Sequence, residues 1–110
     1  MKTEKYDILA RVLLYPSDAG GRKNPITARF WGCPMQIGNS ETYNDCRLLL
    51  DKIGPLNPGD EVVVPIIFLC PELALPHLRV GDHFKLWEAG FKAKGEVLSF
   101  GKWGKFNDER

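Results

Sequence analysis

Histidine and cysteine are scarce in this chain. Two histidines and three cysteines stand among 110 residues. No Cys-x-x-Cys pair exists, and neither His77 nor His83 has a companion at metal-ligand spacing, so no metal site is expected. Three widely spaced cysteines (Cys33, Cys46, Cys70) argue against a disulfide framework and for a reducing compartment. No apolar run approaches the length that crosses a bilayer. The stretch Met1–Asp7 has no apolar core, so no signal peptide is read there. No N-glycosylation sequon occurs. The expectation is a cytoplasmic protein without a membrane partner.

Phosphate-binding signatures are absent too. The nearest string to a P-loop, Gly90-Phe-Lys-Ala-Lys-Gly95, continues into Glu96 and Val97, so the lysine and hydroxyl that would hold a nucleotide are missing. No nucleotide or other cofactor is expected. Fifteen basic residues nearly cancel fourteen acidic ones, leaving a net charge of +1. Any nucleic-acid binding must then rest on a local patch.

The feature around which the chain is organised is Asp60-Glu-Val-Val-Val-Pro-Ile-Ile-Phe-Leu-Cys-Pro71. From Val62 to Cys70 every residue is apolar. Its β-branched residues are stiff at χ1 and suit a pleated strand. Val62, Val64, Ile66 and Phe68 share one face, with Val63, Ile67 and Leu69 opposite. A strand apolar on both faces requires cover on both.

The rest of the chain alternates in the same way. Residues 6–15 predict a strand with Tyr6, Ile8, Ala10, Val12 and Leu14 on one face, and Asp7, Leu9, Arg11 and Leu13 on the other. Residues 16–25 form a turn-rich loop whose Gly20 and Gly21 permit positive φ. Residues 26–37 predict a second strand, with a bulge or edge at Gly32 and Pro34. Residues 43–50 are read as a third strand, with a helical turn over 46–53 as the alternative. Residues 72–75 form a short turn. Residues 83–88 and 91–100 form a hairpin about Ala89-Gly90, the latter strand placing Phe91, Ala93, Gly95 and Val97 on one face. Residues 101–110 read as a tail. Six short strands punctuated by Gly and Pro indicate an all-β, six-stranded antiparallel closed barrel occupying residues 1–100 as one domain.

Two stretches carry a family resemblance. One is Ala10-Arg-Val-Leu-Leu-Tyr-Pro-Ser-Asp-Ala-Gly-Gly-Arg-Lys-Asn-Pro25, with its Gly-Gly-Arg-Lys followed by proline. The other is Leu56-Asn-Pro-Gly-Asp-Glu-Val62, continuing to Gly81-Asp-His-Phe-Lys-Leu-Trp-Glu-Ala-Gly-Phe-Lys-Ala-Lys-Gly-Glu-Val97. In order and separation they resemble the C-terminal β-barrel, domain three, of translation elongation factor Tu. The resemblance covers roughly residues 8–98 and implies a six-stranded antiparallel barrel. It also implies contact with tRNA or with a protein factor. Asn24 stands in place of the family's threonine. Trp31 and Phe91 stand where the family carries arginines, which removes two phosphate anchors.

The candidate binding residues are Arg22, Lys23, Trp31, Trp87, Phe91, Lys92 and Lys94. Arg22 and Lys23 either bind phosphate beside the glycines or brace the turn. Lys92, Lys94, Lys102 and Lys105, interleaved with Trp87, Trp103 and Phe106, suit stacking on nucleic-acid bases, or form an ordinary polar strand with a folded-back tail. Cys70 reads as a buried small hydrophobe and Cys33 as the exposed thiol. No catalytic constellation is apparent. The leading expectation is a non-catalytic module that binds a protein, either a translation component or a toxin or enzyme that it neutralises. An RNA-binding module of tRNA-like specificity is the alternative. A small enzyme with a cysteine or histidine site is the third reading.

Overall fold

The computed structural model describes residues 5–101. Six antiparallel strands close on themselves: β1 (Ile8–Leu14), β2 (Phe30–Ile37), β3 (Tyr43–Leu49), β4 (Glu61–Phe68), β5 (His83–Trp87) and β6 (Phe91–Phe100). They lie in the order β1-β4-β3-β2-β5-β6, with β6 returning to β1. One short helix, α1 (Pro71–Ala74), and a 3-10 turn (Leu75–His77) link β4 to β5. Residues 43–49 are strand, which decides between the two readings of that segment. The tail expected over 101–110 lies outside the described residues beyond Gly101.

Closure follows from a two-residue period on each strand. Ile8, Ala10, Val12 and Leu14 of β1 are fully buried, as are Val64 and Ile66 of β4. Met35, Leu48, Leu86, Ala93 and Val97 complete the interior from the other four strands. Burying each large aliphatic side chain stabilises the fold by about 1.5–3 kcal/mol. Loop residues join them: Ile26 and Leu56 are buried and exchange two backbone hydrogen bonds of 2.9 Å. Ile26 is therefore an isolated bridge, and β2 begins only at Phe30.

Several local readings change. Gly32 and Pro34 lie within an unbroken β2–β3 ladder, opposite Arg47 and Asp45. Pro34 sits one residue beyond the β2–β5 ladder, which starts at Met35, a position that suits a residue without an N–H. Gly20 has φ +87°, but Gly21 does not use the left-handed region: a Cβ there would collide with the Tyr15 and Pro16 carbonyl oxygens. Gly21 is required by close backbone approach.

Asp7 does not face outward. It is fully buried just before β1, where its Oδ2 accepts the Phe68 N–H at 2.7 Å. Its backbone N–H donates to Ile66 and its carbonyl accepts from Gly101, both within 2.9 Å. The carboxylate thus ties down the far end of β4. Its Oδ1 has no partner among the described residues. Burial pushes the Asp7 carboxyl above the ordinary aspartate pKa, and the Phe68 hydrogen bond opposes that shift only in part.

Candidate functional site

The loop after β1, strand β2 and the β5–β6 hairpin are laced together by three of the predicted binding residues. Arg22 Nη1 lies 3.1 and 3.4 Å from the two Glu88 oxygens, and its Nε donates to the Asn24 carbonyl at 3.3 Å. Trp31 Nε1 donates to Glu88 Oε2 at 3.3 Å. Lys92 Nζ donates to the Gly20 and Ala89 carbonyls, each at 3.4 Å. Arg22 therefore braces the turn. Trp31, expected as a surface residue, belongs to the core at 5% exposure, with only its N–H directed at Glu88. Lys23 and Lys94 are exposed.

The remaining two, Trp87 and Phe91, come together on the outer face. On β5, His83, Lys85 and Trp87 point outward by alternation, with Phe84 and Leu86 inward. The hairpin then breaks the period. Leu86 pairs with Ala93 but Trp87 pairs with Phe91, so Lys92 is a bulged residue with no partner on β5. Ala89 at φ +53° and Gly90 at φ +117° complete the turn. The bulge moves Phe91 out of register with Ala93 and sets its ring beside Trp87 outside the barrel, correcting the simple alternation expected over 91–97.

Tyr43, at the start of β3, extends the patch. Tyr43 and Phe91 stack with centroids 6.4 Å apart and planes 15° from parallel. Trp87 meets Phe91 edge-on, at 5.3 Å and 88°. Lys85 Nζ sits 5.3 Å above the Phe91 ring. Tyr43 and Trp87 each remain 41% exposed, although aromatic rings of this size are ordinarily covered in a folded protein. A depression of about 340 Å³ lies between Pro34, Tyr43, Asp45 and Trp87. It shares Pro34 and Asp45 with a second depression of about 400 Å³ that runs over Gly32 and Arg47 to Ile67 and Leu69. Gly32 leaves this surface low, because no side chain rises there between Phe30 and Pro34. The Arg47 guanidinium is laid over Phe30, 4.7 Å from the ring centre.

The spine's outward residues reach this second depression. Leu69 is largely exposed and Ile67 half-buried. Tyr43, Lys85 and Pro34 were not singled out from sequence. The alternation Tyr43, Asp45, Arg47 against Cys46, Leu48 was readable, but the cross-strand rows Gln36–Tyr43 and Gln36–Lys85 that assemble the patch were not.

The cysteines invert their expected positions. Cys33 and Cys46 face each other across β2–β3, both buried, and Cys70 is exposed. Cys46 Sγ donates to the Cys33 carbonyl at 3.3 Å. The neighbouring Cys33 thiol and burial together push the Cys46 pKa well up, so the inward thiol is held protonated. Among the described residues, no group of His, Cys, Asp and Glu is placed to hold a metal ion. No helix among them is long and apolar enough to cross a membrane. Trp103, Phe106, Lys102 and Lys105 lie outside the described residues. No protein-family model matches the chain, and no curated protein matches it.

Proposed function

We propose that this barrel is a non-catalytic protein-binding module that docks its partner on the outer face carrying Tyr43, Trp87 and Phe91. One observation carries the reading: three aromatic rings pack on one another outside a barrel whose interior is already filled. Clustered aromatics of this kind supply rigid apolar area at small entropic cost and dominate binding energy at protein interfaces. The adjoining depression over Gly32, Ile67 and Leu69 enlarges the apolar surface available to a partner. In keeping with the resemblance to elongation factor Tu domain three, the partner is a translation component, or a toxin or enzyme that the barrel neutralises in the cytoplasm. A photo-crosslinking amino acid placed at Trp87 in cells is expected to trap one discrete protein. The same group at Asn57, exposed in the loop that leads into β4, is not. Indistinguishable adducts from the two positions would reject the reading.

RNA binding is the second reading, favoured by Lys85 over the Phe91 ring and by Lys94 opposite Lys85. It requires affinity that falls steeply with salt. Its other anchor, Arg22, is already engaged by Glu88.

A further inference from the structure

Lys85 and Lys94 stand directly opposite each other on β5 and β6. Like charges in that relation destabilise a sheet. Three arginines of the described chain have carboxylate partners: Arg11 with Glu61 and Glu96, Arg22 with Glu88, and Arg29 with Asp51. Neither Lys85 nor Lys94 has a carboxylate within ion-pair distance among the described residues. Lys85 has the neutral Gln36 on its other side and His83 as its outward neighbour along the strand. Glu96, two residues from Lys94, is taken by Arg11. The uncompensated pair also adjoins the exposed rings, since Lys85 Nζ rests over Phe91.

We propose that this face selects an acidic protein segment: carboxylates of the partner neutralise Lys85 and Lys94 while a neighbouring apolar side chain seats against Trp87 and Tyr43. The inference rests on the docking face proposed above and adds the charge of what binds there. A protein segment fits better than a nucleic-acid strand. On the β1 flank Arg11 is bracketed by Glu61 and Glu96, two carboxylates to one guanidinium, and on the β3 flank Asp45 lies beside Trp87. A phosphate chain continuing in either direction would meet like charge. Two side-chain carboxylates on a short segment would not.

The test uses the full 110-residue chain, isotope-labelled, and a synthetic peptide alternating glutamate with leucine and phenylalanine. Its glutamine counterpart, its lysine counterpart and oligouridylate are the comparison probes. The acidic peptide is expected to shift the amide signals of Lys85, Trp87, Phe91 and Lys94, and to bind less well as salt rises. Lys94→Glu, which sets a carboxylate opposite Lys85, is expected to raise the melting temperature while weakening the acidic peptide about tenfold or more. That combination separates lost recognition from lost folding. Equal binding of the glutamine peptide at these residues would overturn the charge selection and leave the docking face standing. Absence of shifts with the acidic peptide, or oligouridylate binding there in its place, would overturn the proposal.

Discussion

Glu88 accepts from two side chains far away in sequence: Arg22 Nη1 at 3.1 Å and the buried Trp31 Nε1 at 3.3 Å. The hairpin, the glycine loop and β2 are thereby fixed to one carboxylate. The two interactions differ in exposure, and so in worth. The Arg22 pair is partly open to solvent, with side chains 23% and 43% exposed. Arg22→Ala is therefore expected to lower stability by only about 0.5–1 kcal/mol. Glu88→Ala also strips the acceptor from a buried indole N–H, raising the loss to about 1–3 kcal/mol. Urea denaturation of both variants checks this, and an Arg22→Ala loss equal to the Glu88→Ala loss would contradict it.

Asp7 gives the barrel an unusual pH dependence. Its folded-state pKa is raised by burial, so the folded chain holds the Asp7 proton more tightly than the unfolded chain does. The stabilising contribution is fully present below the unfolded aspartate pKa. It is lost as pH rises through the higher folded value. Asp51 behaves oppositely: Arg29 lowers its pKa through a hydrogen bond and charge, so its contribution is present above the unfolded pKa and fades on acidification. Asp7→Asn keeps an oxygen for the Phe68 N–H and removes only the Asp7 ionisation. The stability of this variant relative to the parent is expected to climb as pH rises from the acid side through the Asp7 titration. A flat or falling difference in melting temperature would refute this.

Two strand glycines have opposite roles. A Cβ on Gly95 would meet the Phe84 ring, with the Arg11 carbonyl oxygen 2.8 Å away. Gly95→Ala is expected to destabilise the fold by about 1–3 kcal/mol through overpacking. A Cβ on Gly32 has its nearest neighbours at 3.9 Å. Gly32→Ala is expected to be neutral or slightly stabilising, because alanine suits a strand better than glycine does. Thermal melts of the pair measure the contrast directly.

Thiol reactivity follows burial. Cys70 is exposed, while Cys33 and Cys46 are enclosed and the Cys46 thiol has a raised pKa. Under native conditions an aromatic disulfide reagent is expected to modify Cys70 rapidly. The other two should react only at the rate of unfolding. Rapid modification of Cys33 in the folded protein would show that the β2–β3 seam opens.

The site was less legible than the fold, and particular residues show why. Tyr43 looked like a strand terminus, and its value as a partner of Phe91 depends on two intervening strands. Simple parity places Phe91 inward, and the bulge at Lys92 turns it out. Trp31 in an apparent kink suggested a surface anchor, yet that strand runs unbroken and its parity carries the ring inward. Parity on β2 carries Cys33 inward despite its proline neighbour, whereas Cys70 lies past the end of β4 at the turn into α1, where the inward face of the strand no longer governs burial.

The sequence by itself determined the number of strands and, on β1 and β4, their inward faces. Apolar residues recur every second position, and that period is a property of each strand alone. Tertiary structure alone decided which outward residues meet, since register between strands is set by closing the barrel. It also decided that Asp7 turns inward, that Arg22 is engaged by Glu88, and that Lys85 faces Lys94. Each of these depends on distances between segments far apart in the chain, and no local pattern encodes them.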